Sequence, residues 1–443
     1  MNGQKNQMRT KRVGWLACLV LLLVAAAAPS AQAQTRLIVR DSLGLPGLNL
    51  TCLLAGCKVV EGLGDPNGQL FLVTLPPLLN PVTSLLRLSL DLGVLSVEVD
   101  QVVNPAQPNS QGTPSYLTDE APVSYYGTTV WHGYLVQPAN QLIRTAQSQS
   151  TFNATGSGVI VAVIDTGVDV NHPVLQGVLV DGYDFTRNVP GGNEDVDVTS
   201  NTSNTGSSSP ATLDQRTVAV LDQRSVAVLD GSGSNYSDFG HGTMTAGLVH
   251  LVAPQAKIMP LKVFTASGSA YDSDILRAIY YAVANGAQVM SMSWNYPSYS
   301  TELATAIKYA NGKGVVSVAA AGNNAQNAMV YPGGLPGVID VASTSNNDTQ
   351  SSFTNYGVPP VYMAAPGESV VTTYPWGTYA AASGTSFSTP LVAGTAALMM
   401  GNNSNCPSWT VPVGLADAHY IGYLDLGYGR LDTYQAMLTC NLL

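Results

Sequence analysis

Positive charge is scarce in this chain of 443 residues, which has 18 Lys and Arg against 28 Asp and Glu and a net charge of −10. Four of the basic residues lie within the first dozen positions. Nucleic-acid binding needs clustered Lys and Arg that neutralise phosphates. The composition therefore excludes nucleic acid as the expected partner, whereas an apolar fraction of 45% indicates a globular protein with a sizeable core.

Long apolar runs are also lacking, because the run from Val13 to Ala28 is shorter than the roughly 20 residues that a membrane-spanning helix needs. This run follows basic residues and precedes PSAQAQ, the pattern of a secretory signal peptide cut after Ala33. We expect residues 1–33 to be removed and the protein to be secreted, to the periplasm or outside the cell, without membrane association afterwards. The alternative is an uncleaved membrane anchor.

Cysteine is scarce too, with five in total and no zinc-type spacing. Loss of Cys18 with the signal peptide leaves an even number, which in an oxidising compartment suggests two disulfides. Proximity along the chain favours Cys52–Cys57 and Cys406–Cys440, although the sequence alone does not establish the pairing.

Three regions follow the signal peptide. Residues 34–103 alternate short strands and turns and predict a small α+β domain, and residues 104–130 are interpreted as a linker that begins rich in Pro, Ser, Gln and Gly. From 131 to 443, buried strands such as GVIVAVIDTG alternate with helical stretches, which is typical of an α/β fold with a parallel sheet. A polar insertion at 186–236 contains the repeat LDQRTVAV–LDQRSVAV and the acidic stretch NEDVDV. That stretch could hold a cation, although a solvated loop is the more ordinary interpretation.

Three residues in the α/β region form a pattern that suggests nucleophilic catalysis. Asp165 ends the first buried strand, His241 opens the stretch HGTMTAG, and Ser386 lies in SGTSFSTP before an apolar helical run. A Ser hydroxyl becomes nucleophilic when an imidazole takes its proton, and a carboxylate orients that imidazole. Taken alone, SGTSFSTP is more often an ordinary helix N-cap.

The segments VIDTGVD, GHGTMTAG, AAAGNN and SGTSFSTPLVAG together resemble, in this order, segments of the subtilisin-like serine proteases. The resemblance implies a three-layer parallel-sheet fold and a secreted endopeptidase that forms an acyl-enzyme on Ser386, with His241 as general base and acid and Asp165 as its orienting carboxylate. It makes Asn323 the side-chain donor to the oxyanion. It also implies polypeptide substrates, a monomer and no required cofactor; a structural calcium ion is compatible with the family, but no site is assignable.

The resemblance further implies a substrate cleft edged by SGSA (267–270) and SMSWN (291–295), whose backbones would pair with an extended peptide. The residues assigned to substrate binding are Gly268, Ser269, Ser293, Trp294, Asn295, Ala321, Gly322 and Val330. Asn295 and Val330 stand where family members usually carry smaller residues, so we expect a first specificity pocket that prefers modest apolar side chains. Val174 stands where the family often has a calcium-binding Asp, so we expect that site to be absent.

Residues 34–103 resemble the family's propeptide, which implies an intramolecular inhibitor that assists folding and is removed by self-cleavage between about residues 104 and 135. The alternative is a small fused domain. For the whole chain, the alternative function is a catalytically inactive relative that only binds peptides. An esterase of the α/β-hydrolase type is disfavoured because its G-x-S-x-G motif would need Gly where Ser388 stands.

Overall fold

The computed structural model describes residues 35–76, 79, 81–103, 114–199, 225–228, 238–401 and 406–442. The predicted signal peptide and most of the tandem repeat lie outside this described part. The chain divides into two compact units, Met1–Gln101 and Val102–Leu443. None of the helices in the described ranges is long and apolar enough to cross a membrane.

The N-terminal unit is an antiparallel sheet with two helices, and its elements are β1 (Thr35–Asp41), α1 (Gly44–Ala55), β2 (Lys58–Gly62), β3 (Leu70–Leu75), α2 (Pro81–Ser89) and β4 (Val94–Val99). The sheet order is β2-β3-β1-β4. Side chains of the inner strands β1 and β3 pack with Leu48 of α1 and Leu88 of α2 in one core. The predicted α+β organisation is therefore present.

Helix α1 was missed by the sequence analysis. Its residues GLPGLNLTCLLA show no helical alternation of apolar and polar side chains, since Leu50, Leu53 and Leu54 are exposed apolar residues. The helix packs on the sheet through Leu48 and Cys52, and Cys52 forms a disulfide with Cys57 in the turn before β2. Tertiary packing, rather than an amphipathic pattern, therefore stabilises this helix.

The strands of the C-terminal unit are β5 (Val102–Val103), β6 (Pro122–Tyr125), β7 (Thr128–Trp131), β8 (Ile160–Asp165), β9 (Tyr183–Asp184), β10 (Val189–Pro190), β11 (Ser225–Val228), β12 (Lys257–Lys262), β13 (Ala270–Tyr271), β14 (Val289–Met292), β15 (Val316–Ala320), β16 (Val338–Thr344), β17 (Met363–Pro366), β18 (Val370–Tyr374) and β19 (Thr378–Ser383). Its helices are α3 (His132–Val136), α4 (Pro138–Leu142), α5 (Thr145–Phe152), α6 (Val196–Thr199), α7 (His241–Val252), α8 (Asp272–Ala284), α9 (Thr301–Gly312), α10 (Thr385–Met400), α11 (Val411–Leu415) and α12 (Thr433–Leu442).

Eight strands form the central sheet in the order β10-β9-β12-β8-β14-β15-β16-β17. All neighbours are parallel except β9 and β10. Helices α7 and α10 pack against each other and against the sheet. Helices α8 and α9 form a second pair that also packs against the sheet. Because both faces are covered, strands such as β14 and β15 are buried along their whole length. The predicted three-layer α/β fold is confirmed.

The three central strands β8, β14 and β15 end on the same edge of the sheet, at Asp165, Met292 and Ala320. Ligands of parallel sheets bind at this carboxyl edge. The segments that follow these strands therefore converge there, although Asp165 is more than 100 residues from Met292 and Ala320 along the chain.

The predicted linker at 104–130 is wrong for residues 114–130, whereas 104–113 lie outside the described residues. Ser115–Thr118 forms a 3-10 turn, and β6 and β7 form a hairpin. Leu117 and Val130 are buried in the core of the C-terminal unit. The Tyr125 hydroxyl donates a hydrogen bond to the Leu251 carbonyl at 2.6 Å, so this segment is an integral part of the unit.

The acidic stretch of the predicted insertion is not a solvated loop, because the residue Glu194 is only 1% exposed. Further along the insertion, the end of the second repeat forms β11, which pairs with β19 to build the sheet β11-β19-β18.

Near the C-terminus, Cys406 and Cys440 form a disulfide between the segment after α10 and α12. Both disulfides that proximity favoured are present.

Candidate active site

An acid–imidazole pair lies at the carboxyl edge of the sheet. His241 Nδ1 is 2.7 Å from Asp165 Oδ1, and both side chains are buried. The same carboxylate accepts hydrogen bonds from the Thr166 N–H at 2.7 Å and from the Thr245 hydroxyl at 3.2 Å. A carboxylate only accepts, so Nδ1 carries a proton, and in the neutral imidazole Nε2 then has the lone pair of a base. Nε2 has no hydrogen-bond partner within the described residues.

Ser386 is the second residue of α10, and its hydroxyl donates a hydrogen bond to the Ser293 carbonyl at 3.0 Å. The Ser293 hydroxyl donates in return to the Ser386 carbonyl at 2.9 Å. The ring of the next residue, Phe387, lies 5.8 Å from the His241 imidazole, centroid to centroid. These contacts attach the start of α10 to the end of β14, beside the acid–imidazole pair.

Asn323 also lies at this edge, three residues beyond the end of β15. Its Oδ1 accepts the N–H of Thr385 at 3.0 Å, while its buried Nδ2 has no hydrogen-bond partner in the described part of the chain. The Thr385 bond thus sets the orientation of the amide and leaves two N–H donors of Nδ2 unpaired next to the Ser386 segment.

The segment 267–270 ends in β13, which pairs with another part of the C-terminal unit. Val103 and Val102 of β5 face Ala270 and Tyr271 in an antiparallel ladder. Gly268 has a φ of 75° and lies in a turn. The Ser269 carbonyl closes this turn by accepting the Thr265 N–H at 3.0 Å. The short strand β5 therefore adds to this backbone at Ala270 and Tyr271. Binding of a substrate peptide along 267–270 stays a prediction.

The other residues assigned to substrate binding lie around the ends of β14 and β15. Trp294 is a core side chain, since it is 1% exposed and its indole N–H donates to the Ile164 carbonyl at 3.0 Å. Any contact of residue 294 with a peptide is consequently through its backbone. Ala321 and Val330 are buried as well, and the Asn295 amide lies 3.1 Å from the position of a Cβ added to Gly322.

Sequence reasoning missed a buried polar network behind the acid–imidazole pair. Glu194 accepts hydrogen bonds from Thr166, Gly240 and Thr243, which flank Asp165 and His241 along the chain. Burial raises the pKa of Glu194 to about 8, although the bond from Thr243 acts in the opposite direction. Its position inside a low-complexity insertion concealed it, and the acidic stretch NEDVDV was the only signal.

Lys262 is a buried cation of this network. Its ammonium is buried and donates to the Thr166 carbonyl at 2.7 Å, the Phe264 carbonyl at 2.6 Å and Asp197 at 2.8 Å. No group of three or more His, Cys, Asp or Glu in the described ranges is arranged to hold a metal ion.

Residues 156–413 match the family model described as the subtilase family, which is more than half of the chain. The chain belongs to the subtilase family. Subtilases are serine endopeptidases, and this membership accounts for the three-layer fold and for the four motif segments found in the sequence.

Two relatives of this subtilase show the extent of the likeness. Thermitase of Thermoactinomyces vulgaris is 37% identical over 256 residues, which cover 56% of this chain and 76% of thermitase. The thermophilic serine proteinase of Bacillus sp. (strain AK1) is 34% identical over 292 residues, covering 66% of this chain and 63% of the relative.

Among solved structures, fervidolysin of Fervidobacterium pennivorans, described as a keratinolytic enzyme related to subtilisin, matches with a TM-score of 0.67 and 22% identity. The match covers 93% of this subtilase and 62% of fervidolysin. This likeness shows the fold. The chain spans less than two thirds of fervidolysin and of the AK1 proteinase.

Proposed function

We propose that this subtilase is a secreted endopeptidase whose catalytic triad is Asp165, His241 and Ser386. The observation that carries the proposal is the buried 2.7 Å contact between Asp165 and His241 Nδ1, which leaves Nε2 unpaired next to the start of α10. Ser386 is the hydroxyl residue at that start. We propose that the Ser386 hydroxyl leaves the Ser293 carbonyl and turns to Nε2 when substrate binds, since catalytic hydrogen bonds often tighten only then.

In the proposed reaction, the Ser386 hydroxyl gives its proton to His241 Nε2 while its oxygen attacks the peptide carbonyl carbon. The carbonyl electron pair moves to oxygen, and Asn323 Nδ2 donates a hydrogen bond to that oxyanion. Collapse of the intermediate breaks the C–N bond, and Nε2 returns the proton to the leaving amine. Water then hydrolyses the acyl-enzyme by the same steps, with His241 as base.

The test is covalent labelling with a fluorophosphonate, which reacts only with an activated serine. In the wild type we expect one adduct, mapped by mass spectrometry to Ser386. In His241→Ala we expect labelling to be largely lost, because the base that activates the serine is missing. Ser388→Ala serves as the matched control, since that hydroxyl donates to the Ala365 carbonyl at 2.9 Å. An adduct on another serine, or a fully labelled His241→Ala, would contradict the triad.

We also propose that residues 34–103 are a propeptide that inhibits the enzyme until it is cut off. What supports this is β5, which follows the N-terminal unit directly and pairs with β13, where an extended substrate would bind. A propeptide whose end is bound at β13 before self-cleavage would stay bound there afterwards and inhibit the enzyme as a cleavage product does. The narrowed first specificity pocket inferred from Asn295 and Val330 stays a prediction.

N-terminal sequencing of the secreted protein checks the propeptide proposal. We expect the active form to begin between residues 103 and 114, because Leu117 and the segment after it are part of the C-terminal core. The Ser386→Ala variant should keep residues 34–103 attached, since it cannot cut itself. An active secreted enzyme that still begins near residue 34 would show a fused domain instead.

A further inference from the structure

The buried carboxylate of Glu194 lies directly behind the acid–imidazole pair, in contact with both segments that carry it. Its Oε2 accepts the Thr166 hydroxyl at 3.1 Å and the Gly240 N–H at 2.9 Å, and its Oε1 accepts the Thr243 hydroxyl. Thr166 follows Asp165 at the end of β8. Gly240 precedes His241, and Thr243 belongs to the first turn of α7.

The hydrogen-bond directions in this cluster are determined by its neighbours. The Thr166 oxygen accepts the Gly242 N–H at 2.9 Å, and the Thr243 oxygen accepts the Asp169 N–H at 2.7 Å. Each hydroxyl therefore directs its own proton toward Glu194. Within the described residues three donors face the carboxylate, a set that favours the ionised group over an amide, whereas burial favours the protonated acid.

The backbone at this point has little freedom to adjust. Gly240 has a φ of 91°, and a Cβ there would lie 2.4 Å from the Tyr374 ring. A Cβ on Gly242 would lie 1.8 Å from the Gly167 carbonyl oxygen. The start of α7 thus packs directly on the segment after β8, and the Glu194 carboxylate is one of the polar groups that connect the two.

We propose that Glu194 is a positioning residue for the proposed triad, whose ionised carboxylate holds the end of β8 and the start of α7 in the register that joins Asp165 to His241. This inference rests on the proposed function, because it concerns the same catalytic pair. Glu194 makes no contact with the reacting atoms. It acts through Thr166, Gly240 and Thr243.

The charges around Glu194 determine when the carboxylate is ionised. Its pKa is raised to about 8, chiefly by burial and also by repulsion from Asp195, while the hydrogen bonds from Thr243 and Gly240 and the charge of Lys262 act in the opposite direction. Asp195 is itself paired with the Asp169 carboxyl, and Asp197 is paired with both Lys262 and Arg187. Asp165 and His241 are further titratable groups beside the network. The hydrogen-bond set is therefore complete only as the pH rises through about 8, and we expect kcat to rise with it.

The free energy of unfolding is expected to change with pH in the opposite direction to kcat. The pKa of Glu194 in the folded chain lies above its ordinary value of 4.5, so the folded state holds this proton more tightly than the unfolded chain does. The stabilisation is complete below the ordinary pKa and is lost as the pH rises through about 8. Activity and stability are thus expected to change in opposite directions across this range.

The experiment compares Glu194→Gln with Glu302→Gln, which replaces another buried glutamate at the start of α9. Peptide kinetics are measured from about pH 6 to about pH 10. In Glu194→Gln we expect kcat above pH 9 to fall by about 10- to 100-fold, because a misplacement of about 1 Å can cost 10²-fold, with KM changed less than about twofold. The rise of kcat near pH 8 should disappear in this variant and persist in Glu302→Gln.

Two further measurements keep the outcome decisive. The low-field proton NMR signal of His241 Nδ1–H, followed in the absence of substrate, should shift in Glu194→Gln and stay unchanged in Glu302→Gln. Glu194→Asp keeps a carboxylate on a shorter side chain, so kcat should be lower but should still rise near pH 8. This variant tests the proposal if Glu194→Gln does not fold. Wild-type kinetics and an unshifted signal in Glu194→Gln, or no rise in Glu194→Asp, would overturn the inference. Failure of the proposed function appears separately, as activity that survives loss of Ser386.

Discussion

Replacing Ser386 with Ala is expected to lower kcat by about 10⁶-fold, the size established for the nucleophile of subtilisin itself, a relative of this chain. The reason is that no other hydroxyl at the start of α10 can take its place. The hydroxyls of Ser388 and Thr389 donate to backbone carbonyls at 2.9 Å and point into the fold. The measurement is hydrolysis of a fluorogenic peptide by purified variants.

Peptide binding provides the control for this prediction. Ser386→Ala removes one oxygen and leaves β13 and the ends of β14 and β15 in place, so the dissociation constant of a substrate peptide should be nearly unchanged. The double variant Ser386→Ala, His241→Ala should be no slower than Ser386→Ala alone, because residues that act as a unit are not additive. Activity of Ser386→Ala within about tenfold of wild type would mean that this subtilase uses another nucleophile or only binds peptides.

Replacing Asn323 with Ala is expected to lower kcat by about 10² to 10³, a range also measured in subtilisin for the equivalent donor. The amide Nδ2 is buried and unpaired within the described chain, and the Thr385 N–H holds it in that orientation. Its bond to the oxyanion forms only as charge develops, so KM should change little. Kinetics on the same fluorogenic peptide measure both constants.

Asn324→Ala is the matched control, because the neighbouring asparagine has an exposed side chain and the same chemistry. It should leave kcat unchanged. Asn323→Ala also loses the bond to Thr385, which costs about 1 kcal/mol of stability and should lower the melting temperature by a few degrees at most. An unchanged kcat in Asn323→Ala would remove this residue from the proposed oxyanion site.

The chemistry of the site was readable from local sequence. Asp165 directly ends a run of buried β-branched residues, and parallel strands present such ends at one edge of a sheet. Gly240, directly before His241, and Gly384, two residues before Ser386, are the N-cap residues of the helices that begin there. The motif segments therefore predicted the fold class and the contact between Asp165 and His241, whereas the role of Ser386 stays a prediction.

Other features depended on contacts that no short segment encodes. Helix α1 has an apolar exposed side, residues 114–130 have the composition of a linker, and Trp294 has the position of a cleft residue. Each is determined by packing partners distant in the chain. The hairpin at 122–131, for example, is held by bonds such as that from Tyr125 to Leu251.

By itself, then, the sequence determined the α/β fold, the family and the residues of the candidate site, because each depends on a pattern within a few neighbouring residues. Only the tertiary structure decided that Glu194 is buried between Thr166 and Thr243, and that β5 lies on β13. The physical reason is that a carboxylate in a polar segment and a short Val-Val strand are ordinary in sequence. Their environment in the fold alone gives them a role.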